Sequence, residues 1–164
     1  MDIRSLTEAS VSGLSYRKIR GGFKLTATIK TVPIGLGTGK KTNRRIRRYV
    51  NSPDTFIPSR ILSKFTYMSD KNDLKTCWMK ITNPPQVDGR WSAGHAIARM
   101  NGGPCTEENI FPQNLHCNTG NSGDYVEGTN VKGKGGRSWR DFEIHLNTTL
   151  MERGIVEVSM TFKR

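Results

Sequence analysis

Ser92-Ala93-Gly94-His95-Ala96-Ile97-Ala98-Arg99, then Asn109-Ile110-Phe111-Pro112-Gln113, then Asn118-Thr119-Gly120, is the stretch on which the reading of this chain turns. It places one histidine in an apolar run directly after a glycine, with asparagines on both sides of a Pro-Gln pair. Trp91 opens a short strand that carries His95, and Asn101-Gly102-Gly103-Pro104 breaks the run that follows. An imidazole among Gly94, Ala96, Ile97 and Ala98 is partly shielded from water, which keeps it neutral near pH 7 and able to take a proton. The bland alternative is a hydrogen-bonded core histidine. His116 and His145 lack such surroundings, and His145 reads as a solvated helix residue.

Downstream, Ser138 is placed to cap a helix, with Asp141 three residues on, and Trp139, Phe142, Leu146 and Leu150 recur at helical spacing. Gly154 ends that helix, and Ile155-Val156-Glu157-Val158-Ser159-Met160-Thr161-Phe162 reads as a final strand. Glu143 lies one turn from Trp139, on the face of an aromatic expected to be buried, where a solvated glutamate is out of place. From Asn118 to Gly136 the chain is rich in Gly, Asn, Ser and Lys and reads as a long mobile insertion.

Upstream, residues 15–32 alternate around Phe23, Leu25, Ala27 and Ile29 as a strand or hairpin would, with Gly21-Gly22 as the turn. Cys77-Trp78-Met79-Lys80-Ile81 is a short strand ended by Asn83-Pro84-Pro85. Between Arg17 and Arg48 there are eleven Lys or Arg and no acid, ending in Lys40, Lys41, Arg44, Arg45, Arg47 and Arg48. Such a block is either a solvated flexible loop or an arm that contacts phosphates. Gly35-Leu36-Gly37-Thr38-Gly39-Lys40 fails as a nucleotide-binding loop, because Ile34 stands where that motif needs glycine and Lys41 where it needs Ser or Thr.

The 164 residues fit one domain, a basic strand-rich part over about 1–85 and a chemistry-bearing part over about 86–162. With 26 Lys and Arg against 14 Asp and Glu, the formal charge of +12 points to a polyanionic partner, nucleic acid before anionic membrane. No window is apolar enough to span a bilayer, and Met1-Asp2-Ile3-Arg4-Ser5 does not open a secretory leader, so membrane insertion is not expected. Cys77, Cys105 and Cys117 lack paired metal-ligand spacing; they read as reduced thiols or as a Cys105–Cys117 bridge beside a third thiol. A structural zinc on His95, Cys105, His116 and Cys117 is disfavoured, since adjacent His and Cys rarely point at one ion.

In the order and spacing of these motifs the chain resembles the DNA/RNA non-specific endonucleases, the ββα-metal nucleases, and most closely the branch found in bacterial polymorphic toxins. The likeness is carried by Gly94-His95-Ala96-Ile97-Ala98-Arg99, Gly102-Gly103, Asn109 to Gln113, Asn118-Thr119-Gly120 and the helix from Trp139 to Glu143, over roughly residues 86–162. It implies an α+β fold, a ββα-metal (His-Me finger) core packed on a small antiparallel sheet. By the same resemblance His95 is the general base, Asn118 the direct Mg²⁺ ligand, Glu143 a ligand of metal-bound water and Gln113 a support of the site, with Asn109 bracing the motif. The family's Asp-Arg-Gly-His is here Ser92-Ala93-Gly94-His95, so its phosphate-binding arginine is replaced by Ala93, leaving Arg99, Arg90 or Arg140 for that role.

The expectation is therefore a Mg²⁺-dependent endonuclease, with Mn²⁺ able to substitute, that hydrolyses DNA and/or RNA. Lys40, Lys41, Arg44, Arg45, Arg47, Arg48, Arg90 and Arg140 would contact the nucleic acid. The toxin branch further implies secretion or delivery into a target cell as an effector, and an acidic immunity protein as partner. The competing class is a basic nucleic-acid-binding module without catalysis.

Overall fold

The computed structural model describes residues 6–118, 124–127 and 138–164. Two long hairpins and a final strand, all with period-two patterning, organise it. The first is a hairpin of β1 (Thr7–Ile19) and β2 (Gly22–Pro33), longer than the sequence suggested; it turns at Arg20-Gly21 and carries a bulge between Ser12 and Ser15. The second is the hairpin of β3 (Arg60–Met68) and β4 (Leu74–Thr82). Between them in sequence lie α1 (Arg44–Val50), and after them β5 (Ser92–His95), a 3-10 turn at Arg99–Asn101, β6 (Ile110–Gln113), α2 (Leu115–Asn118) and β7 (Asp124–Glu127). The chain closes with α3 (Trp139–Arg153) and β8 (Ile155–Lys163).

The last strand occupies the middle of the sheet. β8 pairs antiparallel with β2 on one side and β3 on the other, giving the order β1-β2-β8-β3-β4-β7. Its Val156, Val158, Met160 and Phe162 are buried, and the register aligns them with Ile29, Ala27, Leu25 and Phe23 on β2. On β3 the partners are Phe65 opposite Val158 and Ile61 opposite Phe162. Rows of apolar side chains thus run across one face of the sheet, as period two demands when a single face is covered. α3 covers that face with Trp139, Phe142, Leu146 and Leu150, and Phe142 meets Phe65 edge-on at 5.4 Å. Its start is as expected: Asp141 N donates to Ser138 Oγ (3.2 Å) and Ser138 N donates back to Asp141 Oδ2 (2.8 Å), a reciprocal cap, and Gly154 ends it.

The architecture corrects the expected fold class. Among the described residues a six-stranded antiparallel sheet with three helices dominates, in place of a ββα-metal core resting on a small sheet. The physical reason lies in where the alternation is long: β1, β2, β3, β4 and β8 each run nine residues or more, whereas β5 and β6 have four each and form only a satellite hairpin. α3 buries its apolar stripe on the large sheet because that is where matching apolar area is offered.

Three local readings also change. The end of the basic block, from Arg44, is a helix: Asn43 Oδ1 accepts from Ile46 N at 3.0 Å, and Ile46 and Val50 bury against Ile110. Within the stretch read as a mobile insertion, Asp124–Glu127 pair with Lys80 to Cys77 at the sheet edge, and the rest of it from residue 119 lies outside the described residues. His145 lies edge-on to Phe65 at 5.4 Å.

Candidate active site

β5 and β6 form an antiparallel ladder that pairs Ser92 with Gln113, Ala93 with Pro112, Gly94 with Phe111 and His95 with Ile110. Alternation assigns the two faces. Gly94, Phe111, Ser92 and Gln113 share one; Phe111 packs at 5.8 Å from Trp139 and 5.3 Å from Phe162, so this face joins the main core. Ala93 and His95 share the other with Ile110, which α1 covers through Ile46 and Val50. The basic helix therefore docks on the same face of the hairpin that presents His95. Gly94 is required where it stands, because a β-carbon there would collide with the buried side chain of Gln113.

His95 is half-buried, and its Nε2 lies 3.0 Å from the carbonyl oxygen of Lys40. A carbonyl can only accept, so Nε2 carries the hydrogen and the neutral ring has its lone pair on Nδ1. Burial holds the imidazole below its ordinary value of 6.5, with the Arg99 guanidinium acting in the same direction and the Lys40 carbonyl opposing. The ring is thus kept neutral and oriented, with one nitrogen available as a base. Lys40 is held in place by its own N–H, which donates to Gly103 O at 3.2 Å, and by Gly39, where a β-carbon would strike Arg99 O.

The loop between β5 and β6 is braced by Asn109, fully buried. Its Oδ1 accepts from Ile97 N at 2.8 Å, and its Nδ2 donates to Ile97 O and Pro104 O at 3.0 Å each. Asn83 plays the equivalent part behind β6: its Nδ2 donates to Pro58 O and Pro112 O, and its Oδ1 accepts from Asn114 N. Gln113 is 2 % exposed and its Nε2 has no partner among the described residues.

Asn118, at the end of α2, is exposed and lines a cleft of about 290 Å³ with Thr42, Arg47, Asn51, Arg90 and Ala93. Ala93 projects from the same face of β5 as His95, roughly 7 Å from it by strand geometry, so the cleft borders the face that carries His95, although His95 does not line it. Asn51 ties its walls together, accepting from Trp91 N at 2.9 Å and donating to Arg47 O at 3.0 Å. Lys40, whose carbonyl meets His95, and Arg99 border a second, separate opening of about 530 Å³. There Glu8 Oε1 accepts from Gly35 N and Gly37 N at 2.9 and 2.6 Å, so the glycine loop cradles an anion of the chain itself. Lys40, Lys41, Arg44, Arg45, Arg47, Arg48, Arg90, Arg99 and Arg140 are all exposed.

Glu143 is placed differently. It stands beside the 3-10 turn, where Asn101 Nδ2 donates to Glu143 O at 3.1 Å, and no hydrogen bond or ion pair among the described residues joins it to His95 or Asn118. Burial lifts its carboxyl from 4.5 to about 7, against a hydrogen bond from Trp139 and the charge of Arg140. Next to it Asn101, 1 % exposed, has an Oδ1 without a partner among the described residues. The contact between the two residues runs through the Glu143 backbone, and among the described residues no group of three or more His, Cys, Asp or Glu side chains gathers that could hold a metal ion. The remaining metal and disulfide readings find separate surroundings: Cys105 packs with the α1 cluster, while Cys117 is in the main core with its Sγ donating to Thr82 O at 3.3 Å. Thr119 and Gly120 lie outside the described residues.

The sequence reading missed Asn51 and the Lys40 carbonyl. The first had a signal, an amide directly after an amphipathic basic segment; a backbone acceptor has none. No family model, characterised protein or solved structure matches the chain.

Proposed function

We propose that this chain is a metal-dependent endonuclease that hydrolyses phosphodiester bonds in DNA and/or RNA without regard to sequence. The observation that carries the reading is the state of His95: neutral, oriented through Nε2 by a backbone carbonyl, and set on the face of β5 that borders an arginine-lined cleft in a chain of charge +12. A histidine locked in one tautomer among cations is a general base placed for a polyanion.

In this reading the nucleic acid spans the two openings, its phosphates neutralised by Arg47 and Arg90 at the Asn118 cleft and by Arg99 and Lys40 at the other. His95 Nδ1 takes a proton from a water whose oxygen bonds to phosphorus, and the P–O3′ bond breaks, leaving a 5′-phosphate and a 3′ oxygen that is protonated from solvent. Asn118 would hold a Mg²⁺ or Mn²⁺ ion directly, and that ion, when bound, would supply the positive charge that stabilises the five-coordinate phosphorus and the departing oxygen; Glu143, which no contact among the described residues joins to Asn118, would act only through bound water. Gln113 supports the hairpin from below by filling the space under Gly94. The basic charge and the likeness to toxin nucleases support delivery into a target cell as an effector and inhibition by an acidic partner.

The test is cleavage of supercoiled plasmid and of a folded RNA with Mg²⁺ and with chelator. Activity should require the metal and vanish in His95→Ala with an unchanged circular dichroism spectrum. Retained cleavage in His95→Ala would discard the mechanism, and tight binding with no metal-dependent cleavage would favour the basic binding module, for which the exposed arginines of α1 already suffice.

A further inference from the structure

A separate cavity of about 390 Å³ opens between the end of the β1–β2 hairpin, the loop after α1 and the loop joining β5 to β6. Its walls include four half-buried rings, Tyr16, Phe23, Tyr49 and Phe56, together with Asp54 and Glu108. The rings are arranged, not scattered: Tyr16 stacks on Phe23 at 4.8 Å, and Phe23 meets Phe56 edge-on at 5.2 Å. No Lys or Arg lines this cavity, although Lys and Arg outnumber acids 26 to 14 in the chain and the clefts beside His95 and Asn118 are edged with them.

The geometry points to a binding site for a free organic cation with a flat amidinium or guanidinium head, seated between aromatic faces and the carboxylates of Asp54 and Glu108. Ring faces carry negative potential and attract such a head, the more so where water is partly excluded. One guanidinium already takes this kind of seat: that of Arg164 lies 5.4 Å from the Phe56 ring centre. Asp54 and Glu108 both line this space, and Glu108 adds to the burial that raises the Tyr16 hydroxyl and, after Glu107, that of Tyr49. The volume is that of a small-ligand site and exceeds what one side chain fills. Ala96 and Asn109 form part of the wall, so an occupant would rest against the segment that presents His95.

The proposal does not depend on nuclease activity and is tested by titrating benzamidine and its neutral isostere benzamide into the protein, followed by aromatic NMR signals and calorimetry. Benzamidine should saturate, shifting the signals of Tyr16, Phe23, Tyr49 and Phe56, and benzamide should bind at least tenfold more weakly. The double variant Asp54→Asn, Glu108→Gln, altered only at exposed positions, should keep its fold and lose roughly tenfold in affinity for benzamidine. Equal binding of the two probes, shifts confined to other residues, or unchanged affinity in the double variant would overturn the site. An Ala-Arg-Ala peptide that binds much more tightly than arginine amide would overturn the free ligand as its occupant.

Discussion

Replacing Glu143 by Gln should make the protein more stable and less active, and the pH dependence of the first effect isolates its cause. The Glu143 carboxyl is raised in the folded state from 4.5 to about 7. Below pH 4.5 it is protonated in both folded and unfolded chains and contributes nothing. As pH rises from 4.5 toward 7 the unfolded chain ionises while the folded one stays protonated, so stability falls, and above 7 the loss is complete. At about 1.4 kcal/mol per pH unit the ceiling is roughly 3 kcal/mol; the side chain is half-buried, and solvent screening reduces this to about 2 kcal/mol. Gln keeps an acceptor for Trp139 and cannot ionise. Urea unfolding in chelator should therefore show wild type and variant parting as pH rises, with a gain of about 2 kcal/mol for the variant at pH 8 relative to pH 4. A difference that does not change between pH 4 and pH 8 would refute the burial argument. Cleavage by the variant at the wild-type rate would remove Glu143 from the proposed chemistry while leaving the stability argument intact.

Because burial and Arg99 hold the His95 imidazole below 6.5, kcat/KM for plasmid cleavage should rise along an acid limb with its midpoint below pH 6.5 and then level off; a midpoint above 7 would contradict the assignment of His95 as base. Asn109→Ala removes three hydrogen bonds, two of them buried, and should cost about 3 kcal/mol in urea unfolding, whereas a loss under 1 kcal/mol would mean that the loop is braced elsewhere. In the His95→Ala background, Arg47→Ala and Arg90→Ala should each lower the salt slope of oligonucleotide binding by about 1, and an unchanged slope would take the strand out of the Asn118 cleft.

The elements legible in the sequence were those whose own residues carry the signal. Ser138, Asp141 and Gly154 mark the ends of α3 by local hydrogen bonding and backbone conformation, and the alternation in β8 is visible because every second residue is buried. α1 was hidden by its charge: four arginines in seven residues mask an apolar stripe of only Ile46 and Val50, and the Asn43 cap is the cue that reveals it. β7 was hidden by composition, since an edge strand needs only backbone pairing with β4 and little apolar content.

The site divides along the same line. Charge, the glycine before His95 and the amides around the hairpin are properties of residue types, so the sequence by itself determined that this is a cationic chain with a shielded histidine at position 95, while His145, read as solvated, packs on Phe65. Only the tertiary structure decided that β8 enters between two hairpins, that the hairpin of β5 and β6 is a satellite of that sheet, and that α1 lies on the face of His95. It also decided the tautomer of that histidine, because the acceptor for Nε2 is a backbone carbonyl 55 residues away. Pairings of that kind depend on closing long loops around a shared core, and residue order alone carries no record of which distant backbone group ends up in reach.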